Sequence, residues 1–390
     1  MKPSSVMLIA GEASGDFLAT ELVAALRAEC GPHVPKFFGA GGPKMAAAGV
    51  ELAFDLTQHS VIGLWEAVRK YGQFKRLFDR LLHLACDRQP DIIVCVDFSG
   101  FNRRFAAAIR REVRRRRGIF HNWSPKIIQY VSPQVWASRP GRAFQMARDY
   151  DLLLSILPFE KSWYAARVPE LRVEFVGHPI IERHAKVAVV KIDGRGSELL
   201  LLPGSRVSEL RRHLPPMLAA WERIRVARPD VRARMVLPSD EMVQLVHAIG
   251  GVTLNSIALQ IGGLSEALAT ATVAIASTGT VTLECALFGV PTVAMYRTSW
   301  PTYIIGRQIV QVKYLAMPNL LADEPIYPEF IQSAATAENL AAAALQFLDN
   351  AELREAAKSK LTRVAESLGE TGASQRAAKA ILELLGSSSK

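Results

Sequence analysis

Residues 199–210 read LLLLPGSRVSEL. The leucine run suits a strand buried on both faces, and Pro203 and Gly204 then turn the chain into a helix. A strand entering a helix through a short glycine turn is one βα unit of a parallel sheet. The turn also carries chemistry. It exposes backbone N–H groups at a helix N-terminus, a ready seat for phosphate, with Ser205 in the turn and Arg206 adding a fixed charge and a planar fork. On this stretch alone an ordinary βα turn with a surface arginine remains an equal reading.

Residues 273–291, VAIASTGTVTLECALFGVP, follow the same plan. The strand ends at Ser277, Gly279 lets the backbone approach a ligand closely, and residues 280–288 read as a helix stopped by Gly289 and Pro291. Thr280 and Glu284 stand four apart, so they share a helical face directed back toward the loop that carries Thr278. From there a carboxylate can accept hydrogen bonds from ribose hydroxyls while loop amides hold phosphates. A capping or buried ion-paired acid is the alternative. Two anion-friendly turns in one domain point to a nucleotide diphosphate site.

Outward from these turns, short apolar runs alternate with amphipathic stretches. Candidate strands are residues 6–10, 36–39, 91–97, 126–131, 152–157 and 173–176, then 199–202, 234–237, 257–261, 273–276 and 292–296. This predicts an α/β protein with two Rossmann-like, doubly wound domains facing a cleft, with ligands beyond the carboxyl ends of the strands. Residues 1–182 form the first domain, 183–197 (RHAKVAVVKIDGRGS) the linker, and 198–365 the second. Residues 366–390 form a C-terminal helix that packs on the first domain or on a partner subunit.

A chain of 390 residues accommodates two such cores. Hydrophobic residues make up 49% and charged residues 22%, which excludes a largely disordered chain. No apolar run approaches the ~18 residues that cross a bilayer, and the one at residues 6–10 is too short for a signal-peptide core. The expected location is therefore the cytosol. Cys30, Cys86, Cys95 and Cys285 lack metal or disulfide spacing and read as reduced core residues. No acidic or histidine cluster has ligand spacing, so no metal is expected. The net charge of +10 favours a polyanionic partner: nucleic acid, phosphorylated substrate or anionic lipid.

In the first domain VMLIAGEASGDFLATELVAALRA gives strand, glycine-rich turn and helix. It is not a GxGxxG turn, and Glu12 and Asp16 would repel a pyrophosphate, so a dinucleotide cofactor is disfavoured. Ser14 or Asp16 can equally cap the helix. Asp97 ends the strand of PDIIVCVDFSGFN, where a carboxylate can take a proton from a sugar hydroxyl or simply form the turn. Residues 61–85 place Leu64, Trp65, Val68 and Phe74 at helical spacing with Arg69, Lys70 and Arg76 interleaved, broken near Gly72. That pattern fits a core-packed helix pair with a basic outer face, or docking on anionic lipid. The run RREVRRRR at 110–117 reads as a solvated helix end. Basic patches interleaved with stacking aromatics are absent elsewhere, so no nucleic-acid partner is expected.

Together these stretches resemble the lipid-A-disaccharide synthase family over nearly the whole chain. The resemblance is carried by GEASGD (11–16), FGAGGPKMAAAGVEL (38–52), VIGLWEAV (61–68), DFSGFN (97–102), YVSPQVWASRPGRA (130–143), LPFE (157–160), FVGHP (175–179), LPGSR (202–206), ASTGTVTLECALFGVP (276–291) and PNLLADEPIYPEFIQ (318–332). It implies the glycosyltransferase-B fold and inverting transfer of a glucosaminyl unit from UDP-2,3-diacylglucosamine to the 6-hydroxyl of 2,3-diacylglucosamine 1-phosphate. It also implies a homodimer peripheral to the cytoplasmic face of the inner membrane. Carried over by position, Arg206 and Ser205 meet the donor diphosphate, Thr278, Gly279 and Thr280 its phosphates, and Glu284 the ribose. Asn319, Glu329 and Gln332 border the donor, Asp97 is the general base, and Glu12, Ser14 and Asp16 line the acceptor side. His178 in FVGHP is as consistent with structure as with function. The family's Asp-Ala-Pro-Asp-Phe-Asn stands here as DFSGFN, so its second acid is missing. Rivals are another UDP-sugar glycosyltransferase or an epimerase of the same layout, and, from another class, a basic RNA- or membrane-binding scaffold.

Overall fold

A computed structural model describes residues 4–59, 71–118, 122–184 and 197–386. The chain divides into two compact units, Met1–Pro179 with Gly369–Lys390, and Ile180–Leu368. The first boundary falls ahead of residue 182 because the short helix Ile180–His184 groups with the second unit. Residues 185–196 of the expected linker lie outside the described residues.

The first unit is built on β1 (Ser5–Ala10), β2 (Lys36–Gly41), β3 (Glu51–Asp55), β4 (Ile92–Val96), β5 (Lys126–Tyr130), β6 (Leu152–Ser155) and β7 (Arg172–Phe175). They form a parallel sheet in the order β3-β2-β1-β4-β5-β6-β7. Side chains alternate between its faces, as the strand period requires. Val6, Leu8 and Ala10 enter one core with Leu22 and Leu26, whereas Met7 and Ile9 enter the other with Phe105 and Ile109. The C-terminal helix Ala373–Gly386 adds Ala377, Ala378 and Ile381 to the first of these cores. Arg376 on that helix donates to the carbonyl of Val176 at 2.8 Å.

The second unit repeats the plan with β8 (Glu198–Leu202), β9 (Arg232–Leu237), β10 (Ile257–Ile261), β11 (Val273–Ser277), β12 (Thr292–Tyr296) and β13 (Glu329–Ile331). The order is β10-β9-β8-β11-β12-β13, again parallel. Both sheets reverse direction beside their first strand, between β1 and β4 and between β8 and β11. Loops diverge there and leave a crevice at the carboxyl ends.

Two strands were missing from the sequence expectation. β3 and β13 are edge strands, short and only partly buried, so neither has the continuous apolar run that marks a central parallel strand. β4 is shorter than the expected 91–97. Asp91 turns aside to accept hydrogen bonds from the Ser4 and Ser5 backbones, and Asp97 leaves the strand with φ 48°.

Candidate functional site

The carboxyl ends of β8 and β11 enclose a cavity of about 500 Å³, lined by Gly204, Ser205, Arg206, Ser277, Thr278, Gly279, Thr280 and Glu284, with Leu202, Pro238 and Leu264 as apolar walls. Gly204 has φ 113°, and a Cβ there would stand 2.7 Å from the Glu209 carboxylate and 3.4 Å from Ser277 Oγ. Only glycine fits both the backbone and the space. Gly279 has φ 131° with open space around a would-be Cβ, so its backbone alone demands glycine. Helices Val207–Ala227 and Thr280–Leu287 begin directly after these turns. Their N-terminal N–H groups and dipoles favour an anion at this end of the sheet.

Arg206 occupies the N-cap position, with its side chain 60% exposed and a guanidinium nitrogen 3.2 Å from Glu209. Glu284 is only 23% exposed and has His184 Nε2 at 3.6 Å. Burial raises the Glu284 pKa above the ordinary carboxylate range, opposed by the positive charge of Arg183. Burial, aided by Arg183, pushes the His184 imidazole down. His184 Nδ1 lies 2.8 Å from Ser265 Oγ, and its ring meets Phe288 edge-on.

A second histidine holds the turn after β8 in place. The buried His213 places Nδ1 2.8 Å from the Pro203 carbonyl, and its Nε2 accepts from the Arg297 N–H at 3.0 Å. With Nε2 accepting, the proton belongs on Nδ1, and burial favours this neutral form. One side chain thus ties the turn after β8 to the loop after β12. Neither histidine was singled out from the sequence, because each acts through partners distant along the chain.

Asn319, Glu329 and Gln332 make framework contacts in this structure. None lines the cavity. Asn319 is fully buried and pairs with the Tyr327 backbone in both directions, each bond 2.7 Å. Glu329 accepts from the Leu315 and Ala316 N–H groups and from Asn319, holding the start of helix Met317–Ala322. Gln332, at φ 56°, brackets the Thr298 backbone through both amide atoms. These polar groups hold the loop framework.

In the first unit, Asp16 is likewise a framework residue. It is buried, and its carboxylate accepts from the backbone N–H groups of Gly42, Lys44 and Met45, which pins the start of helix Pro43–Ala47. Glu12 and Ser14 are exposed at the start of helix Ala13–Cys30.

Asp97 and Phe98 are consecutive left-handed residues, φ 48° and 43°, at the end of β4. Such strain persists only where the surroundings fix it. Amides of Asn102 and Gln129 donate to the Asp97 carbonyl at 2.8 and 3.0 Å, and the Phe98 ring fills the space over Gly11. A Cβ at Gly15 would come within 3.8 Å of Asp97 Cβ, so the GEASGD turn and this acid share one end of the sheet. Burial raises the Asp97 pKa, opposed by the Phe98 N–H. Beyond β6, Glu160 is fully buried, takes Trp136 Nε1–H at 2.9 Å, and is pushed by burial up to about 7.

Leu64, Trp65, Val68, Arg69 and Lys70 lie outside the described residues. Phe74 is half-buried and Arg76 exposed on helix Tyr71–Arg88, which packs Leu77, Phe78 and Leu81 into the first unit. No helix among the described residues is long and apolar enough to cross a membrane. In the arginine run, Arg110 pairs with Asp151 at 2.5 Å, whereas Arg115 and Arg116 pair with Glu112 on their own helix. All four cysteines are free and buried.

The family model described as lipid-A-disaccharide synthetase matches residues 6–384. The chain is 35% identical over 391 residues to the lipid-A-disaccharide synthase of Myxococcus xanthus, covering 98% of each protein. It is 36% identical over 396 residues to that of Geobacter metallireducens, covering 98% of this chain and 97% of the other. Among solved structures it resembles the glycosyltransferase of kitacinnamycin, with TM-score 0.63 and 17% identity, covering 98% of this chain and 100% of that one. It also resembles the S. aureus MnaA–UDP co-structure, with TM-score 0.62 and 12% identity, covering 98% and 97%. These structural likenesses show the shared two-sheet glycosyltransferase-B fold. Sequence kinship across nearly the whole length goes further: the chain belongs to the lipid-A-disaccharide synthase family of glycosyltransferases.

Proposed function

We propose that this chain transfers 2,3-diacylglucosamine from its UDP donor to the 6-hydroxyl of 2,3-diacylglucosamine 1-phosphate, inverting the anomeric centre and releasing UDP. The observation carrying this reading is the cavity at the β8/β11 switch point, where two helix N-termini, Arg206 and Glu284 stand around a space of about 500 Å³. The diphosphate sits on the amides after Gly204 and Gly279, which suit dispersed negative charge. Arg206 is exposed, and among the described residues its guanidinium has a side-chain partner only in Glu209 at 3.2 Å, which leaves it free to turn onto the diphosphate. Glu284 accepts from the ribose hydroxyls. As the glycosidic bond breaks, charge grows on the leaving phosphate, and these preorganised donors stabilise it there.

Asp97 takes the proton of the acceptor hydroxyl. Burial raises its pKa, which makes its carboxylate a stronger base than an ordinary one. The reaction requires no metal in this scheme, because Arg206 and the amides meet the charge of the departing UDP. Lipid substrates favour a position on the cytoplasmic face of the inner membrane, and the family resemblance favours a homodimer.

One incubation tests the reading. Diacyl UDP-glucosamine and diacylglucosamine 1-phosphate are supplied with a chelator, and UDP and disaccharide are followed together. Equal amounts of both are expected. UDP without disaccharide, or no product until a divalent metal is restored, overturns it.

A further inference from the structure

Helix Trp300–Ile309 has no buried residue. Trp300, Ile304 and Ile305 are 60%, 55% and 56% exposed, and the following Val310 is exposed as well. An isolated surface leucine needs no explanation, but a helix that leaves Trp300, Ile304 and Ile305 together in water does. Its base is fixed: Gln332 brackets Thr298, and Ser299 and Thr302 hydroxyls meet at 2.7 Å. Residues 297–314 contain Arg297, Arg307 and Lys313 and no acid. Arg307 lies over the Tyr303 ring and Lys313 over Tyr314, the latter also 3.6 Å from Asp323.

We propose that this helix is a bilayer-contact element of the second unit, lying in the interface of an anionic membrane with Trp300, Ile304 and Ile305 in the acyl boundary and Arg307 and Lys313 among the headgroups. The charge pattern selects this occupant. A two-fold pairing of this segment with a second copy would bring together only cations and neutral side chains, with no acid in residues 297–314 to answer the charge. Anionic lipid answers them directly, and tryptophan and tyrosine suit the water–lipid boundary.

The test is sedimentation of the full chain with vesicles of phosphatidylcholine alone or mixed with phosphatidylglycerol. Trp300→Ser, Ile304→Ser and Ile305→Ser combined should lower partition onto the mixed vesicles about tenfold or more while UDP affinity by calorimetry is unchanged. Arg307→Glu with Lys313→Glu should abolish the preference for anionic vesicles. Partition of the triple variant equal to the parent overturns the proposal. So does a vesicle-free change of oligomeric state in that variant, which would make the helix a contact between copies. UDP affinity reports the nucleotide site separately, so failure here leaves that site reading standing.

A different observation carries a second inference, one that rests on the donor-site reading. His184 stands between Ser265 and Glu284, behind the Glu284 carboxylate that lines the cavity. The structure assigns His184 as a positioning residue: Ser265 Oγ–H donates to Nδ1, which turns Nε2–H toward Glu284 Oε2 and leaves Oε1 for the ribose hydroxyls. The 3.6 Å separation then closes to a hydrogen bond when the nucleotide binds. His184→Leu should weaken UDP about tenfold, with much less effect on 2′-deoxy-UDP, and His184→Gln, which restores an N–H donor, should recover most of the loss. Equal loss for both nucleotides, or no rescue by glutamine, overturns the assignment. If the parent itself does not distinguish UDP from 2′-deoxy-UDP and Glu284→Gln changes neither, the donor-site reading fails instead.

Discussion

Glu160→Gln should reshape the pH dependence of stability, and the size follows from burial. Glu160 is fully enclosed beyond β6, with Trp136 Nε1–H at 2.9 Å and the Leu157 N–H at 3.4 Å. Desolvation exceeds what these donors return, so the carboxyl moves from an ordinary 4.5 to about 7 on folding. The native state then holds a proton that the unfolded chain has lost across this range. Stability therefore falls as pH rises from about 4.5 to about 7, and levels off above. Fully ionised, the group costs about 3 kcal/mol relative to its protonated form. Glutamine keeps a carbonyl for Trp136 and cannot ionise. Urea unfolding followed by tryptophan fluorescence should give the variant equal or slightly lower stability at pH 5. At pH 8 the variant should be more stable than the parent by about 2 kcal/mol, once the weaker Leu157 contact is discounted. The difference between the two proteins isolates this group from the other titrations. Parallel curves from pH 5 to 8 would refute the argument, since they would mean that the site ionises without penalty.

Arg206→Ala should lower kcat/KM for the UDP donor by about 10²-fold or more with Tm unchanged, because the side chain is exposed and contacts only the Glu209 carboxylate among the described residues. Asp97→Asn should abolish transfer but retain UDP binding by calorimetry. In the parent, kcat/KM should fall on the acid side through a pKa displaced above the ordinary carboxylate range, as expected for a base that must be unprotonated. Asp16→Ala should act on folding, lowering stability by about 2–4 kcal/mol in denaturant as three backbone N–H groups lose their acceptor. If Asp16→Asn instead changes KM for the acceptor at full stability, its placement as a framework residue is wrong.

The difference between the readings of Glu284 and Asp16 explains what the sequence made legible. Glu284 sits one helical turn from Thr280 behind a glycine turn, so local geometry alone placed it at the mouth of a βα loop. Asp16 also follows a glycine turn, but its partners are the amides of residues 42–45, supplied by another βα unit. Asn319, Glu329 and Gln332 pose the same problem: each is polar, each lies near an apolar segment, and each is satisfied by backbone brought in from elsewhere. A polar side chain in a motif has two physical uses, meeting a ligand or satisfying a buried amide, and residue type does not separate them. Central strands were legible because burial on both faces writes a continuous apolar run, whereas β3 and β13 at the edges carry no such constraint. The parts of the site that local backbone chemistry determines, Gly204, Arg206, Gly279 and Glu284, are therefore those the chain announces. The parts that depend on long-range pairing, His184 with Glu284 and His213 with Pro203, emerge only once the strands are laid side by side.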